Sequence, residues 1–221
     1  MRAVPYSGPV PRFLVVLDVD STLVEDEVVE LLADAAGSRT EVAAVTARAM
    51  AGELDFAESL RERVATLEGL PTSVFAEVVD LVRPTRGVTE LVEGVHAADG
   101  LVAVVSGGFH EVLDPLAARF GLDAWRANRL EVAGGRLTGR LDGAVVDAEA
   151  KATSLRAWAA DSGLPPSRVV AVGDGANDLL MLRAAGLGVA FDAKPVLRAA
   201  ADVCVVDRDL SQVLPLLGLR G

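Results

Sequence analysis

Among its 221 residues the chain has one cysteine, two lysines and no apolar run of membrane-spanning length. Each shortage excludes something. A lone Cys204 leaves no intramolecular disulfide framework, which fits a reducing cytoplasm. Its setting in VCVV reads as a small buried core residue. No window approaches the roughly 18 uninterrupted apolar residues of a bilayer span, so no membrane partner is expected. The opening MRAVPYSGPVP has one Arg, three Pro and no apolar h-region, so residues 1–12 read as a loose tail and not as a signal peptide. Basic residues number 21 against 32 acidic ones, a net charge of -11. So acidic a chain lacks the cationic face that nucleic acid needs, which argues against that partner. Any anionic ligand must instead meet a locally positive pocket. Repeats and low-complexity segments are also missing.

What is present alternates. Short apolar runs at 13–17, 101–105, 169–172, 188–191 and 203–206 are separated by helical patterns at 88–98, 151–161, 176–185 and 210–217. Continuous apolar strands interleaved with helices predict a parallel sheet covered on both faces. Residues 26–84 contain no strand-like run and are helix-rich, punctuated by Gly37, Gly52 and Leu70-Pro71. The stretch RLEVAGGRLTGRLDG, 129–143, alternates around Gly134-Gly135 and reads as a β-hairpin. The expected fold class is α/β: a doubly wound, Rossmann-like parallel sheet core from residues 13–25 and 85–221, with a helical cap inserted at 26–84 and a β-hairpin.

The first apolar run ends in LDVDSTLVEDE. Asp18 and Asp20 are two residues apart and share one side of the strand. Like charges 4 Å apart repel by about 4 kcal/mol at an effective dielectric near 20. Something has to offset that. Ligands of open α/β sheets sit at the carboxyl ends of strands, and two further ends carry polar residues. These are VVSGG, with Ser106 and Gly107, and VAVGDGAND, with Asp174, Asn177 and Asp178. Lys151 opens the helical stretch KATSLRAWAA.

Each feature alone has an ordinary explanation. Ser106 suits a helix N-cap, and Asp174 and Asp178 suit the positive end of a helix dipole. Lys151 suits a solvated surface, although a compact ammonium in a chain that otherwise uses Arg points to chemistry. Gathered in one crevice, the carboxylates make a hard oxygen site whose expected occupant is Mg²⁺. Such a cation relieves the Asp18–Asp20 repulsion. The Gly107 amide, nearby helix starts and Lys151 would hold an anion beside it. A free carboxylate next to that anion suggests phosphoryl transfer to Asp. His96 and His110 lack metal-ligand spacing and read as structural or surface residues, and Lys194, before Pro195, as a loop residue.

In the insert, Phe56, Leu60, Val64 and Leu67 form an apolar stripe at helical spacing, and Arg63 falls on it. A snorkelling surface Arg accounts for that position; so does an Arg aimed at a substrate carboxylate. Glu27 is placed to meet a substrate ammonium, and Met50 and Phe56 serve either as a shield over the site or as core. These charges suit a zwitterionic phosphorylated amino acid.

In this order, DxDST, SGG, Lys151 and GDGAND resemble the haloacid dehalogenase superfamily of aspartate-dependent phosphatases, over about residues 13 to 217. MAGELDFAESLRERV, SGGFHEVLDPLA and ANRL are similar to the phosphoserine phosphatase family within it. The resemblance implies that Asp18 is the nucleophile of an aspartyl-phosphate intermediate. Asp20 would protonate the leaving serine oxygen and then activate water. Asp18, the Asp20 carbonyl and Asp174 would ligate Mg²⁺, while Ser106, Gly107, Lys151 and Asn177 hold the phosphoryl group. Asp178 would orient Lys151 or the metal waters. The implied reaction is hydrolysis of phosphoserine, the last step of serine biosynthesis. A related phosphatase or phosphotransferase would act on another small ester, such as phosphohomoserine. A phospho-accepting signalling domain also phosphorylates an Asp, but on a core of about 120 residues with no helical insert. A non-catalytic metabolite-binding protein has no need of the intact DxD.

Overall fold

Every residue of LVVL, Leu14–Leu17, is buried, and the two sides of this strand feed two different cores. Val15 and Leu17 join one apolar cluster; Leu14 and Val16 join the other. That is the consequence of a period of two in a strand covered on both faces. In the computed structural model, residues 2–3 and 10–219 are described, the side chains of residues 2, 3 and 50 excepted. The strands are β1 (Arg2–Ala3), β2 (Leu14–Leu17), β3 (Leu101–Phe109), β4 (Ala124–Asn128), β5 (Leu130–Ala133), β6 (Arg136–Leu141), β7 (Val169–Gly173), β8 (Leu187–Phe191) and β9 (Val203–Val205).

Seven of them form one sheet in the order β1-β4-β3-β2-β7-β8-β9. From β4 to β9 all neighbours are parallel. Counting those six alone, the order is that of a doubly wound sheet, 3-2-1-4-5-6, whose direction of winding reverses between β2 and β7. Helices α5 (Val88–Ala97) and α6 (His110–Phe120), with the final turns Leu210–Leu217, cover the Val15–Leu17 face. Helices α7 (Ala148–Asp161) and α8 (Leu179–Ala184) cover the other, and a short α9 (Pro195–Arg198) follows β8. Among the described residues no helix is long and apolar enough to cross a membrane.

Four helices, α1 (Val28–Ala36), α2 (Arg39–Met50), α3 (Phe56–Ala65) and α4 (Val74–Leu81), fill the stretch after β2. Helix α3 starts at a reciprocal cap in which Asp55 accepts from the Glu58 amide and Glu58 accepts from the Asp55 amide. The chain enters and leaves this insert through paired linkers. Val24 bridges Pro84, Glu25 N donates to Arg83 O, and Thr85 N donates to Leu23 O. The Asp26 carboxylate accepts from the Arg83 amide at 2.8 Å and from its guanidinium at 2.7 Å.

The hairpin β5–β6 turns on Gly134-Gly135, both at positive φ. It docks on the insert: Gly69 N donates to Leu137 O, Leu137 N to Leu70 O, and Thr72 N to Gly135 O.

Three features differ from expectation. The tail 1–12 falls mostly outside the described residues, but Arg2–Ala3 pair antiparallel with Ala124 and Trp125 of β4. Strand β4 has no counterpart among the apolar runs of the sequence. Cys204 is exposed and not core. It lies on the edge strand β9, where Val205 faces inward and the intervening side chain faces out.

Candidate active site

The crevice opens where the winding reverses, at the carboxyl ends of β2 and β7. Asp18 N donates to Val172 O across this junction. After β2 the chain makes one wide turn, Val24 N donating to Val19 O, with Ser21 at φ +57. This turn places Asp18 and Asp20 in the crevice beside Asp174, Asn177, Gly107, Phe56, Arg63 and Glu27, which line a cavity of about 660 Å³.

Lys151 is the electrostatic centre. Helix α7 is capped by Asp147, which accepts from the Ala150 amide, and the next residue points inward with no solvent exposure. Its ammonium lies 2.7 Å from Asp18 Oδ1 and 2.7 Å from Asp178 Oδ1. Burial opposes the charge, but Asp178 and Asp18 hold the ammonium protonated well above its ordinary range. The other Asp178 oxygen accepts from the amides of Asp174 and Gly175. A side chain at Gly173 would run into that carboxylate at 2.5 Å, so this close approach requires glycine.

The carboxyls respond to their surroundings in a common direction. Burial, then the charge of Asp178, raises Asp18 well above the carboxylate range, with Lys151 opposing. Burial and Glu27 push Asp20 up to about 7. Burial pushes Asp174 up to about 6, with Lys194 opposing. One buried ammonium does not neutralise this group. Oxygens of Asp18, Asp174 and Asp178 lie within 4.8 Å of one another. An all-oxygen set in excess of its counter-charge fits a hard divalent cation. Because Asp178 has both oxygens engaged, Asp18 and Asp174 are the carboxylates suited to hold it.

The bulged end of β3 supplies the facing wall. Ser106 is buried, and its Oγ accepts from the Gly108 amide at 2.7 Å. Phe56, at the start of α3, lies over Gly107 so closely that a Cβ there would meet the ring at 2.8 Å. Arg63, one face of α3 further on, is half-buried, its Nε donating to Ser59 O. Desolvation lowers its pKa, while Glu27, Asp20 and Glu30 oppose that shift. Among the described residues no carboxylate lies within ion-pair distance of it. Glu27 is steadied by the Ser21 hydroxyl, which donates at 2.9 Å.

The structure thus gathers Asp18, Asp20, Glu27, Phe56, Arg63, Ser106, Gly107, Lys151, Asp174, Asn177 and Asp178 around one crevice. Met50 ends α2, and its side chain is outside the described set. Lys194, expected as a loop residue, lines the crevice with its ammonium 3.7 Å from Asp174 Oδ2. No spacing announces it: the two meet because the Lys194 amide donates to Asp174 O between neighbouring strand ends. His110 is structural, as expected, its Nδ1 paired with Asp114 and its Nε2 accepting from the Ala127 amide.

Comparison with known proteins decides the family. Residues 15–183 match the model of the haloacid dehalogenase-like hydrolases. A phosphoserine phosphatase of Streptococcus thermophilus is 49% identical, over 92% of this chain and 95% of the relative. This chain belongs to the phosphoserine phosphatase family of haloacid dehalogenase-like hydrolases. The enzyme is also similar to a solved phospho-aspartyl intermediate analogue of phosphoserine phosphatase, at 41% identity and TM-score 0.87, covering 93% of this chain and 99% of the other. A substrate-bound phosphoserine phosphatase matches at 40% identity and TM-score 0.87, covering 93% and 98%.

Proposed function

We propose that the enzyme hydrolyses O-phospho-L-serine to L-serine and inorganic phosphate with Mg²⁺ as resident cation, completing serine biosynthesis in the cytoplasm. The observation that carries this reading is Arg63: a half-buried guanidinium without a carboxylate partner among the described residues, in the same crevice as Asp18 and Asp20. A guanidinium partly withdrawn from water is well placed to pair with a carboxylate that a ligand supplies. Glu27 lines the same cavity and offers a partner for an ammonium. Beside the phosphoryl site, these two read the carboxylate and amine of an amino acid. The family relationship supports the same substrate.

A carboxylate oxygen of Asp18 attacks phosphorus, and the bond from phosphorus to the seryl oxygen breaks. Asp20, protonated up to about 7, gives its proton to that oxygen. As a carboxylate it then takes a proton from water, whose oxygen attacks phosphorus and releases phosphate and free Asp18. Lys151, Gly107, Ser106 and Asn177 hold the phosphoryl oxygens, and Asp178 fixes Lys151. Asp18, the Asp20 carbonyl and Asp174 would hold the cation, which would supply counter-charge to the carboxylates and the phosphoryl group. Residues 26–84 act as a cap that excludes water, with Phe56 lining the crevice.

Asp18 is 3% exposed in a crevice that Phe56 also lines, which is unsuited to a signalling domain that must display its phospho-aspartate. The test is phosphate release with Mg²⁺ from L-phosphoserine, phosphohomoserine and an aryl phosphate. The expected result is a strong preference for phosphoserine that chelation abolishes; an equal rate on all three would refute the substrate.

A further inference from the structure

Strands β3 and β4 run in register from Ala103 opposite Ala124 to Val105 opposite Arg126, then again at Phe109 opposite Asn128. Between the last two pairs β3 advances four residues and β4 only two, so Ser106-Gly107-Gly108 bulge from the ladder. A bulge leaves backbone groups without ladder partners. Asn128 supplies one, its Nδ2 donating to Gly107 O at 2.8 Å. Its Oδ1 accepts from the Val146 amide at 2.8 Å. Asn128 is 3% exposed, and Val146 lies just before α7, the helix that carries Lys151. The donor end meets a carbonyl and the acceptor end an N–H, so the contacts allow only one amide orientation.

One buried side chain therefore ties together the bulge that carries Gly107 and the segment that leads into the helix of Lys151. We propose that Asn128 is a positioning residue for phosphoryl transfer: it holds Gly107 of the bulge at a set distance from the start of α7, so that Gly107 and Lys151 grip one phosphoryl group together. An apolar residue of similar size would fill the space but leave Gly107 O and Val146 N unpaired. The proposal rests on the phosphoryl-transfer reading of the crevice and not on the identity of the ester.

The experiment compares wild type with Asn128→Ala and Asn128→Asp. Asp keeps the acceptor for Val146 but sets a carboxylate oxygen against Gly107 O. Three assays are run: kcat and KM for an aryl phosphate, competitive inhibition by inorganic phosphate, and competitive inhibition by L-serine. In both variants aryl phosphate kcat/KM and phosphate affinity fall by about tenfold or more, as misplacement of a binding group does. Serine affinity stays within about twofold, because Arg63 and Glu27 are positioned independently of Asn128. In wild type, the Asn128 side-chain amide resonance shifts on phosphate binding, a reading that holds even if a variant folds poorly. Phosphate affinity within about threefold of wild type in a folded variant overturns the proposal. So does an equal loss of phosphate and serine affinity, the mark of a merely loosened fold, or an amide resonance indifferent to phosphate. Failure of the substrate reading looks different: wild type would hydrolyse the aryl ester yet neither hydrolyse phosphoserine nor bind serine.

Discussion

At the scale of single residues, the proposed mechanism gives the pair Asp18 and Asp20 two roles that their environments separate. Both are carboxyls, but Asp18 is anchored by Lys151 and the Val19 amide at 2.7 Å each, whereas Asp20, among the described residues, accepts only from the Val28 amide and lies near the charge of Glu27. Asp18→Asn should remove turnover, since an amide is no nucleophile. Acid-quenched wild type mixed with substrate should give a phosphorylated peptide containing Asp18; retained activity in the Asn variant would refute its role. For Asp20 the consequence reaches folding. Its folded pKa of about 7 lies above the ordinary carboxyl range, so the folded protein holds a proton that the unfolded chain releases. The contribution of Asp20 to the stability of the metal-free enzyme therefore declines as pH rises from about 4 to about 7 and is level above that. Asp20→Asn should stabilise the metal-free protein, by an amount that grows over that interval. Urea unfolding with chelator at several pH values measures the difference from wild type, and a gain independent of pH contradicts the assignment. The pair is legible in the sequence because both carboxylates follow directly on a buried apolar run, although the turn after β2, and not a strand period of two, brings them into one crevice. Asn128 and Lys194 are not legible: one depends on a bulge in another strand, the other on a contact between loops.

At the scale of elements, the paired linkers decide how firmly the insert is attached. Burial works against ionisation of Asp26, yet the side-chain and backbone hydrogen bonds from Arg83 hold its carboxyl below the ordinary range. A depressed acid contributes stability that is present above the unfolded pKa and lost as pH falls through the folded one. Asp26→Asn should thus cost about 1 kcal/mol at neutral pH, discounted for the solvent around Arg83, and nothing in strong acid. Denaturant melts at pH 7 and pH 2.5 check this; a cost that persists in acid would mean that charge is not the cause. The sequence announces the insert by its lack of strand-like runs, and the hairpin by Gly134-Gly135. It does not announce that the hairpin docks on the insert, because the bonds from Gly69, Leu70 and Thr72 join segments about 67 residues apart. Strand β4 is hidden for a similar reason. Arg126 and Asn128 interrupt its apolar pattern and are tolerated because Ser154 and the β3 bulge partner them.

At the scale of the whole molecule, the proposed function divides labour between a sheet whose strand ends carry out phosphoryl transfer and an insert that chooses the ester. The core supplies Asp18, Lys151 and Asp174, and α3 brings Phe56 and Arg63 to the same crevice. Arg63→Ala should then separate the two functions. Truncating one partner of a buried Arg–carboxylate pair costs about 2–5 kcal/mol, a loss of roughly 30-fold or more in kcat/KM for phosphoserine. An aryl phosphate has no carboxylate to lose. Arg63→Lys should recover only part of the rate, because an ammonium lacks the planar fork. The most direct measurement is kcat/KM for phosphoserine and for an aryl phosphate in wild type and Arg63→Ala, with Mg²⁺ saturating. The account predicts a collapse on phosphoserine with the aryl ester little changed. Equal losses on both would show that Arg63 only supports the insert, and would contradict the claim that it reads the substrate.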